Sequence, residues 1–243
     1  MNAIETHALT RRFGDVTAVD GLDLAVSQGE LFALLGVNGA GKTTTIRMLC
    51  GLLPPTSGDA LLMGHSITGD TAAAKKILNL SPQETAVAPA LTVRENLAFI
   101  AGVYGTSRKA ALEAADQMIE RMGLESVARR RAKTLSGGWQ RRLSIAMGLI
   151  TDPEILFLDE PTLGLDVLAR RELWEVVEGL RGRITVVLTT HYLEEAQALS
   201  DCIGVMAKGR LKALGAADEL ISRTGAKNFE DAFVALAAGK EGR

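Results

Sequence analysis

The chain has 243 residues, of which 47% are hydrophobic and 23% are charged. This length suits one large domain or two small ones, and the composition excludes a disordered or collagen-like chain and predicts a sizeable core. The 27 basic and 29 acidic residues nearly cancel, and only 4% of the residues are aromatic, so neither charge nor base stacking points to a nucleic-acid partner.

The cysteine content argues against a disulfide-rich or zinc-binding protein, and the hydropathy argues against a membrane-spanning one. Cys50 and Cys202 are too few and too far apart for a disulfide framework or a zinc site, and we expect both to be small buried residues in a reducing compartment. Residues 1–20 lack the basic start and apolar core of an export signal. No apolar stretch reaches the roughly 18 residues of a membrane span, so we expect any membrane role to depend on a partner.

The predicted elements begin with an antiparallel sheet and continue as an α/β sheet. Residues 18–26 alternate between apolar and polar side chains, which is typical of a half-exposed antiparallel strand. Short apolar runs typical of strands buried on both faces follow at residues 31–35, 155–158, 184–188 and 203–206. Helical patterns cover residues 42–50 and 166–180. Strands that alternate with helices predict a parallel sheet.

The middle of the chain lacks strand patterns and is predicted to be a helical insertion. Helices are expected over residues 93–104, 107–122 and 138–150. We therefore expect a single domain with three parts, which are a core made of residues 1–84 and 151–210, a helical subdomain of residues 85–150, and a C-terminal tail of residues 211–243. The tail is expected to form a docking helix or to be partly frayed.

A glycine-rich loop joins the first buried strand to the helix after it. It reads Gly36-Val37-Asn38-Gly39-Ala40-Gly41-Lys42-Thr43, with Thr44 beyond it, and matches G-x-x-x-x-G-K-[ST] in the strand–helix context expected of a phosphate-binding loop rather than a plain turn. The glycines let backbone N–H groups face phosphate oxygens, and the helix adds its N-terminal dipole. Lys42 supplies a charge for the β- and γ-phosphates, and Thr43 offers a hydroxyl to Mg²⁺.

Two acids end the apolar run at residues 155–158. Asp159 lies at the carboxyl end of the predicted strand, from which it reaches Mg²⁺ through water. Glu160 follows at the sheet edge where α/β proteins bind ligands. A carboxylate there orients or deprotonates an attacking water, a role worth about 10² to 10⁴ in rate. The alternative is that both acids begin a polar turn before Pro161.

Leu135-Ser136-Gly137-Gly138 is typical of a loop that opens a helix, with Ser136 as the N-cap residue. Alone it indicates either a turn or a second anion site. The order of phosphate loop, Leu-Ser-Gly-Gly, and strand with Asp-Glu resembles the ATP-binding cassette (ABC) ATPase family. The resemblance covers residues 3–215 and implies an α/β fold, a P-loop NTPase (RecA-like) core with an N-terminal antiparallel β subdomain and a helical insertion.

The resemblance implies roles for four more residues. Phe13 matches the aromatic residue that stacks on adenine, and Gln83 matches the lid glutamine that touches Mg²⁺ and water and senses the membrane partner. Asp166 matches the loop that crosses the dimer interface, and His191 matches the switch histidine that contacts the γ-phosphate. From the residues alone, Phe13 and His191 also suit structural roles, and Gln83 suits an exposed turn.

The resemblance also implies a dimer. Ser136, Gly137 and Gly138 would act on ATP held by a second subunit, so that two copies of this chain facing each other head to tail would enclose two nucleotides. Two positions depart from the family pattern. Trp139 stands where glutamine is commonest, and it either packs locally or lines the nucleotide interface. Val167 stands where proline is frequent, and a helix is still expected to start there.

Three segments resemble ATPase subunits of the ABC-2 type exporters, which serve drug, antibiotic, lipid, polysaccharide or ion efflux; these are residues 92–97, 191–196 and 229–233. This resemblance implies an ATP-hydrolysing subunit bound to a separate membrane permease on the cytoplasmic face of the cell membrane. The helical insertion is where the permease is expected to push. The basic cluster of Arg129 to Arg131 with Arg141 and Arg142 is interpreted as a solvated face.

Other functional classes fit less well. A soluble ABC ATPase that acts on ribosomes or DNA remains the alternative, although ribosome-acting members generally carry two cassettes and the segment between Thr43 and Leu135 is too short for the coiled coil of chromosome-maintenance members. A GTPase would carry Asn-Lys-x-Asp, which this sequence lacks. A regulator that only binds nucleotide would be expected to lack Glu160 or His191.

Overall fold

A computed structural model describes residues 1–239 of the chain. The strands are β1 (Asn2–Phe13), β2 (Val16–Ser27), β3 (Leu31–Leu35), β4 (Ser57–Leu62), β5 (His65–Ser66), β6 (Leu78–Ser81), β7 (Ile155–Asp159), β8 (Thr185–Thr190), β9 (Cys202–Ala207) and β10 (Arg210–Gly215). The helices are α1 (Lys42–Leu49), α2 (Thr71–Lys76), α3 (Val93–Val103), α4 (Arg108–Arg121), α5 (Gly137–Leu149), α6 (Val167–Glu178), α7 (Leu193–Leu199), α8 (Ala217–Thr224) and α9 (Phe229–Ala237).

The strands form two sheets, as the α/β prediction requires. The smaller sheet is antiparallel and has the strand order β2-β1-β4-β5. The larger sheet has the order β10-β9-β3-β8-β7-β6, in which the strands from β9 to β6 are parallel. Every residue of β3, β7 and β8 is buried, which explains the apolar runs within them. The carboxyl ends of these three neighbouring strands meet at one edge.

The helical insertion appears as α3, α4 and α5, each within about two residues of its predicted bounds. Local capping sets these bounds. Thr92 and Glu95 form a reciprocal capping box at the start of α3. The Asp166 carboxylate accepts a hydrogen bond from the Ala169 N–H at 2.9 Å at the start of α6. The helix therefore begins at Val167 without proline, as expected.

The C-terminal part of the chain is more closely joined to the core than the sequence suggested. Strand β10 pairs antiparallel with β9, so the sheet continues across the predicted boundary at residue 210. Helix α9 packs against the core through Phe229 and Leu236, both buried, so this segment is docked rather than frayed. Residues 240–243 of the predicted tail lie outside the described residues.

The two cysteines differ in their environment. Cys50 is buried, as expected, but Cys202 is only half-buried, so the prediction of two buried thiols is wrong for Cys202. Burial raises the pKa of the Cys202 thiol to about 11, which keeps it protonated at neutral pH. Among residues 1–239, no helix has the combination of length and hydrophobicity that crossing a bilayer requires.

Candidate nucleotide-binding site

The glycine-rich loop connects the carboxyl end of β3 to the start of α1. A Cβ atom on Gly36 would lie 2.3 Å from the Met206 carbonyl oxygen, and a Cβ atom on Gly41 would lie 2.5 Å from the Ala18 carbonyl oxygen. Gly41 also has a φ of 106°, which side-chain-bearing residues avoid. Packing therefore requires glycine at both positions, and backbone conformation also requires it at Gly41.

The loop borders a cavity of about 450 Å³, within the usual range for small-molecule sites. It lies at the sheet edge where β3, β7 and β8 end. Its lining residues come from separate segments of the chain and are Ala18, Asn38, Gly39, Ala40, Gly41, Lys42, Thr43, Thr44, Gln83, Glu160, Leu163 and His191. The fold thus brings the phosphate loop together with the predicted lid glutamine, the second acid and the switch histidine.

Lys42 is the first residue of α1, and its side chain folds back over the loop. Its ammonium donates a hydrogen bond to the Gly36 carbonyl oxygen at 2.6 Å and lies 3.2 Å from Glu160 Oε1. Lys42 is 5% exposed and Glu160 is 6% exposed. A buried charge is costly unless it is paired, so each of these two residues supplies the counter-charge that the other needs.

Asp159 is the last residue of β7, and its carboxylate accepts hydrogen bonds from two hydroxyl groups. Its Oδ1 accepts hydrogen bonds from Thr43 Oγ1 at 3.1 Å and from Thr189 Oγ1 at 2.6 Å. Thr189 lies opposite Asp159 in the register of β7 and β8, so sheet pairing fixes this contact. A carboxylate and a hydroxyl therefore converge beside the phosphate loop, and such oxygen donors are the ligands that Mg²⁺ prefers.

Glu160 is held in place by its backbone and by both carboxylate oxygens. Its φ of 49° is in the left-handed region that non-glycine residues seldom adopt. Its N–H donates to Thr189 Oγ1 at 3.0 Å, which stabilises the turn. While Oε1 faces Lys42, Oε2 lies 2.6 Å from His191 Nδ1. A strained, buried carboxylate aimed into the cavity is typical of a functional acid.

Gln83 follows β6 and is exposed at the rim of the cavity. Its carbonyl oxygen accepts a hydrogen bond from Arg141 Nη2, and the Pro82 carbonyl oxygen accepts one from Arg141 Nη1 at 2.6 Å. Arg141 is only 4% exposed. The prediction that Arg141 belongs to a solvated basic face is therefore wrong, because its guanidinium is needed inside the protein to satisfy two carbonyl groups.

Trp139 packs locally. Its ring packs against the core and carries the Arg142 guanidinium, whose central carbon lies 5.0 Å from the ring centroid. Arg142 also pairs with Glu172 of α6 at 3.5 Å, and its side chain is only 16% exposed. Arg142 therefore does not belong to a solvated face either, whereas residues 129–131 are exposed as predicted.

Of the predicted features away from the phosphate loop and β7, Phe13, the Ser-Gly-Gly segment and Asp166 lie outside the cavity lining. Phe13 is 47% exposed at the end of β1, with the Arg11 guanidinium 4.6 Å from its ring centroid. Ser136 and Gly137 are exposed where α5 begins, and Gly138 is half-buried. The Asp166 carboxylate is engaged as the cap of α6. The Phe13 ring and the Ser-Gly-Gly segment are thus available to groups from outside the chain.

Sequence reasoning missed two polar residues behind the site. Thr189, which touches both acids, could have been found, because the carboxyl ends of neighbouring parallel strands meet at one sheet edge. Glu195 of α7 gave no such signal, since it follows Glu194 in an ordinary acidic helix start. It is fully buried, and its Oε1 accepts a hydrogen bond from Trp174 Nε1 at 3.2 Å. Burial raises the pKa of Glu195, and the charge of Glu160 acts in the same direction.

We expect the substitution Glu195→Gln to remove part of the pH dependence of stability. Because the pKa of Glu195 is higher in the folded chain than in the unfolded chain, its contribution to the free energy of unfolding is lost as pH rises above 4.5, its ordinary value. Glutamine stays neutral and keeps an acceptor for Trp174. The Tm of the variant relative to the wild type should therefore increase between about pH 5 and about pH 8 in calorimetry.

The exposed neighbour Glu194 provides the matched control for this experiment. Glu194→Gln makes the same side-chain change in the same helix at an exposed position, so the pH-dependent Tm difference that burial of Glu195 causes should be absent from it. A constant difference for Glu195→Gln as well would show that Glu195 takes up no proton when the chain folds.

Comparison with known proteins identifies the family. Residues 19–163 match the family model described as ABC transporter. The daunorubicin resistance ATP-binding protein DrrA3 of Streptomyces coeruleorubidus is 42% identical over 94% of this chain, which spans 72% of that relative. This chain belongs to the ABC transporter family. The probable multidrug ABC transporter ATP-binding protein YbhF of Escherichia coli is 41% identical over 96% of the chain, although the chain spans only 41% of its length.

A solved structure described as the ATP-binding subunit of an ABC transporter has the same fold as this family member. It superimposes with a TM-score of 0.83 at 26% sequence identity and covers 96% of this chain and 99% of its own. The predicted family and the predicted P-loop NTPase fold are therefore confirmed. The resemblance to exporter subunits is confirmed as well, because two relatives carry drug-resistance or multidrug descriptions.

Proposed function

We propose that this chain binds and hydrolyses ATP and thereby powers a separate membrane permease of an ABC-2 type exporter. The observation that carries the proposal is the position of Glu160. It is a buried carboxylate at the rim of a phosphate-loop cavity, held between Lys42 and His191. The drug-resistance and multidrug descriptions of the relatives support export as the direction of transport.

ATP binding rests on the loop and on Lys42. The loop's backbone N–H groups and the start of α1 attract phosphate oxygens, and the Lys42 ammonium adds a positive charge. In the structure this ammonium pairs with Glu160 Oε1. A bound γ-phosphate competes for Lys42 and so releases that carboxylate oxygen. Binding of the substrate thereby prepares Glu160 for its role in hydrolysis.

Magnesium is expected to bind with ATP. Thr43 and Asp159 present oxygen donors that lie 3.1 Å apart, and Gln83 at the rim adds an amide oxygen; this donor set fits a hard divalent cation. When bound, Mg²⁺ supplies positive charge that neutralises the phosphate oxygens. The Thr43 hydroxyl donates to Asp159, and the Thr189 hydroxyl holds the same carboxylate oxygen in position.

Hydrolysis requires a group that accepts a proton from water. We assign this role to Glu160. The water oxygen attacks the γ-phosphorus, the bond from that phosphorus to the bridging oxygen breaks, ADP leaves, and the water proton passes to the Glu160 carboxylate. His191 keeps the carboxylate oriented through the contact between Nδ1 and Oε2, and its ring rests on Tyr192 with the centroids 4.2 Å apart.

A complete site is proposed to need two copies of the chain. Phe13 would stack on adenine, and the exposed Ser136, Gly137 and Gly138 would contact the nucleotide of the second copy, with Asp166 at the interface between them. Because one chain carries both halves, a homodimer would hold two competent sites. The dimer is proposed to sit on the cytoplasmic face of the membrane, attached through the permease.

Phosphate release from MgATP by the purified chain tests this proposal. Because each site is built from two copies, the specific activity should rise with protein concentration and then reach a plateau. Absence of phosphate release at every concentration, both alone and with the co-expressed permease, would contradict the proposed activity.

The helical subdomain offers an apolar surface for the permease. Phe99, Val103 and Tyr104 are each more than half exposed on or beside α3, and a groove of about 580 Å³ runs between α3 and α4. Exposed apolar clusters of this kind mark interaction sites on soluble domains. We assign this groove to an apolar segment of the permease.

The substitution Phe99→Glu should weaken association with the permease by at least about tenfold, because it places a charge in an apolar interface. Co-purification with a multi-span membrane protein encoded beside this chain measures the effect. Val234→Glu is the matched control, since Val234 is 60% exposed on α9, away from the groove. Equal recovery of both variants with the permease would argue against the groove.

A further inference from the structure

Arg141 is a buried arginine whose two hydrogen-bond acceptors are neutral carbonyl groups. It is 4% exposed, and burial lowers the pKa of its guanidinium even though the charges of Asp159 and Glu195 act in the opposite direction. Burying a guanidinium costs free energy, so a buried arginine at this position is expected to have a specific role. Core packing alone would be served better by methionine or leucine.

The guanidinium holds the segment that carries Gln83. Nη1 donates to the Pro82 carbonyl oxygen at 2.6 Å, and Nη2 donates to the Gln83 carbonyl oxygen. These are the first two residues after β6. The rigid fork of arginine allows two donors to bind two adjacent carbonyl groups at once, whereas lysine presents a single nitrogen on a flexible stem.

A second contact joins the same helix to the same strand end. Ser144 lies one helical turn after Arg141 and therefore on the same face of α5. Its hydroxyl is 2.8 Å from the Ser81 hydroxyl, and both serines are buried. Helix α5 is thus attached to three consecutive residues at the end of β6 and the start of the following loop.

The Ser-Gly-Gly segment lies at the N-terminal end of α5, before Arg141 in the helix. Helix α5 begins at Gly137, and Arg141 follows by about one turn of helix, a distance of about 6 Å along the axis. In the proposed dimer, the start of α5 contacts the nucleotide of the second copy. Gln83 lines the cavity of its own chain. In the proposed dimer, about one turn of α5 therefore separates the segment that contacts the second copy's nucleotide from the residue that holds the Gln83 loop.

We propose that Arg141 is a positioning residue that locks the Gln83 loop to helix α5, so that closure of α5 on the second copy's nucleotide also places Gln83 at its own. This inference rests on the proposed dimeric ATPase. The hydrogen bonds from Arg141 to the Pro82 and Gln83 carbonyl oxygens lie within one chain, so they are tested without a second copy.

The hydrogen bonds between Arg141 and the Gln83 loop are tested first, without nucleotide. In Arg141→Lys and Arg141→Met, hydrogen–deuterium exchange of residues 78–88, which include the paired amides of β6, should be at least about tenfold faster than in the wild type. The exposed Arg129→Met is the matched control and should leave exchange unchanged. If Arg141→Met fails to fold, Arg141→Lys decides the result, since it retains the charge but loses the fork. Wild-type exchange in the folded variants would overturn the proposal.

The proposed coupling between the two nucleotide sites of the dimer is tested by steady-state kinetics. The Arg141 variants should bind ATP within about twofold of the wild type, because Lys42 and the loop are intact, while kcat falls by at least about tenfold and the Hill coefficient for ATP falls toward one. Arg141 variants with the kcat and Hill coefficient of the wild type would overturn the proposed coupling between the two nucleotide sites. A wild type that hydrolyses no ATP would instead contradict the proposed function, and the exchange result would still stand.

Discussion

Glu160→Gln should lower steady-state ATP hydrolysis by at least about tenfold while leaving ATP affinity nearly unchanged. Glutamine has the same shape and keeps oxygen and nitrogen atoms facing Lys42 and His191, but it accepts no proton from water. The γ-phosphate contacts come from the loop and Lys42, which this substitution leaves in place. Phosphate release and direct titration with a nucleotide analogue measure the two effects separately.

The same substitution should also stabilise a dimer in the presence of MgATP, because the bound nucleotide persists between the two copies. Size-exclusion chromatography with and without ATP detects this. Glu154→Gln is the matched control, since Glu154 is an exposed acid at the opposite end of β7. Unchanged turnover in Glu160→Gln would remove Glu160 from the catalytic role.

The parallel sheet and the helical insertion could be predicted because their patterns are strong. Strands β3, β7 and β8 are buried on both faces, and each contains a run of at least three apolar residues. Short or edge elements gave weaker patterns. Strand β10 has only one well-buried residue, Ala213, so it resembles a loop in sequence, and its place in the sheet depends on pairing with β9.

Some residues of the candidate site could also be predicted from the sequence, whereas others could not. The phosphate loop and the acids at the end of β7 follow local rules of backbone conformation and strand ends, so the sequence alone predicts them. Arg141 and Glu195 do not follow such rules. Both lie in helical segments with charged neighbours, and only the packing of α5 and α7 against the sheet buries them. Burial of a charged side chain is a tertiary property that composition and spacing do not encode.

Lys42→Ala should weaken ATP binding by at least about tenfold, because it removes the only side-chain charge that the phosphate loop contributes. It should also destabilise the folded chain. Glu160 is 6% exposed and would lose the partner of its Oε1, and breaking a buried ion pair by removing one partner costs about 3–5 kcal/mol. Isothermal titration with ATP and chemical denaturation measure the two losses.

The double variant Lys42→Ala/Glu160→Gln separates these two effects. Replacing the buried carboxylate with a neutral amide removes the unpaired charge, so the free energy of unfolding should return close to that of Glu160→Gln alone. ATP binding should remain weak, because the γ-phosphate still lacks the Lys42 ammonium. If the double variant instead regained wild-type affinity, the weak binding of Lys42→Ala would come from loss of folded structure, and Lys42 would not be a phosphate ligand.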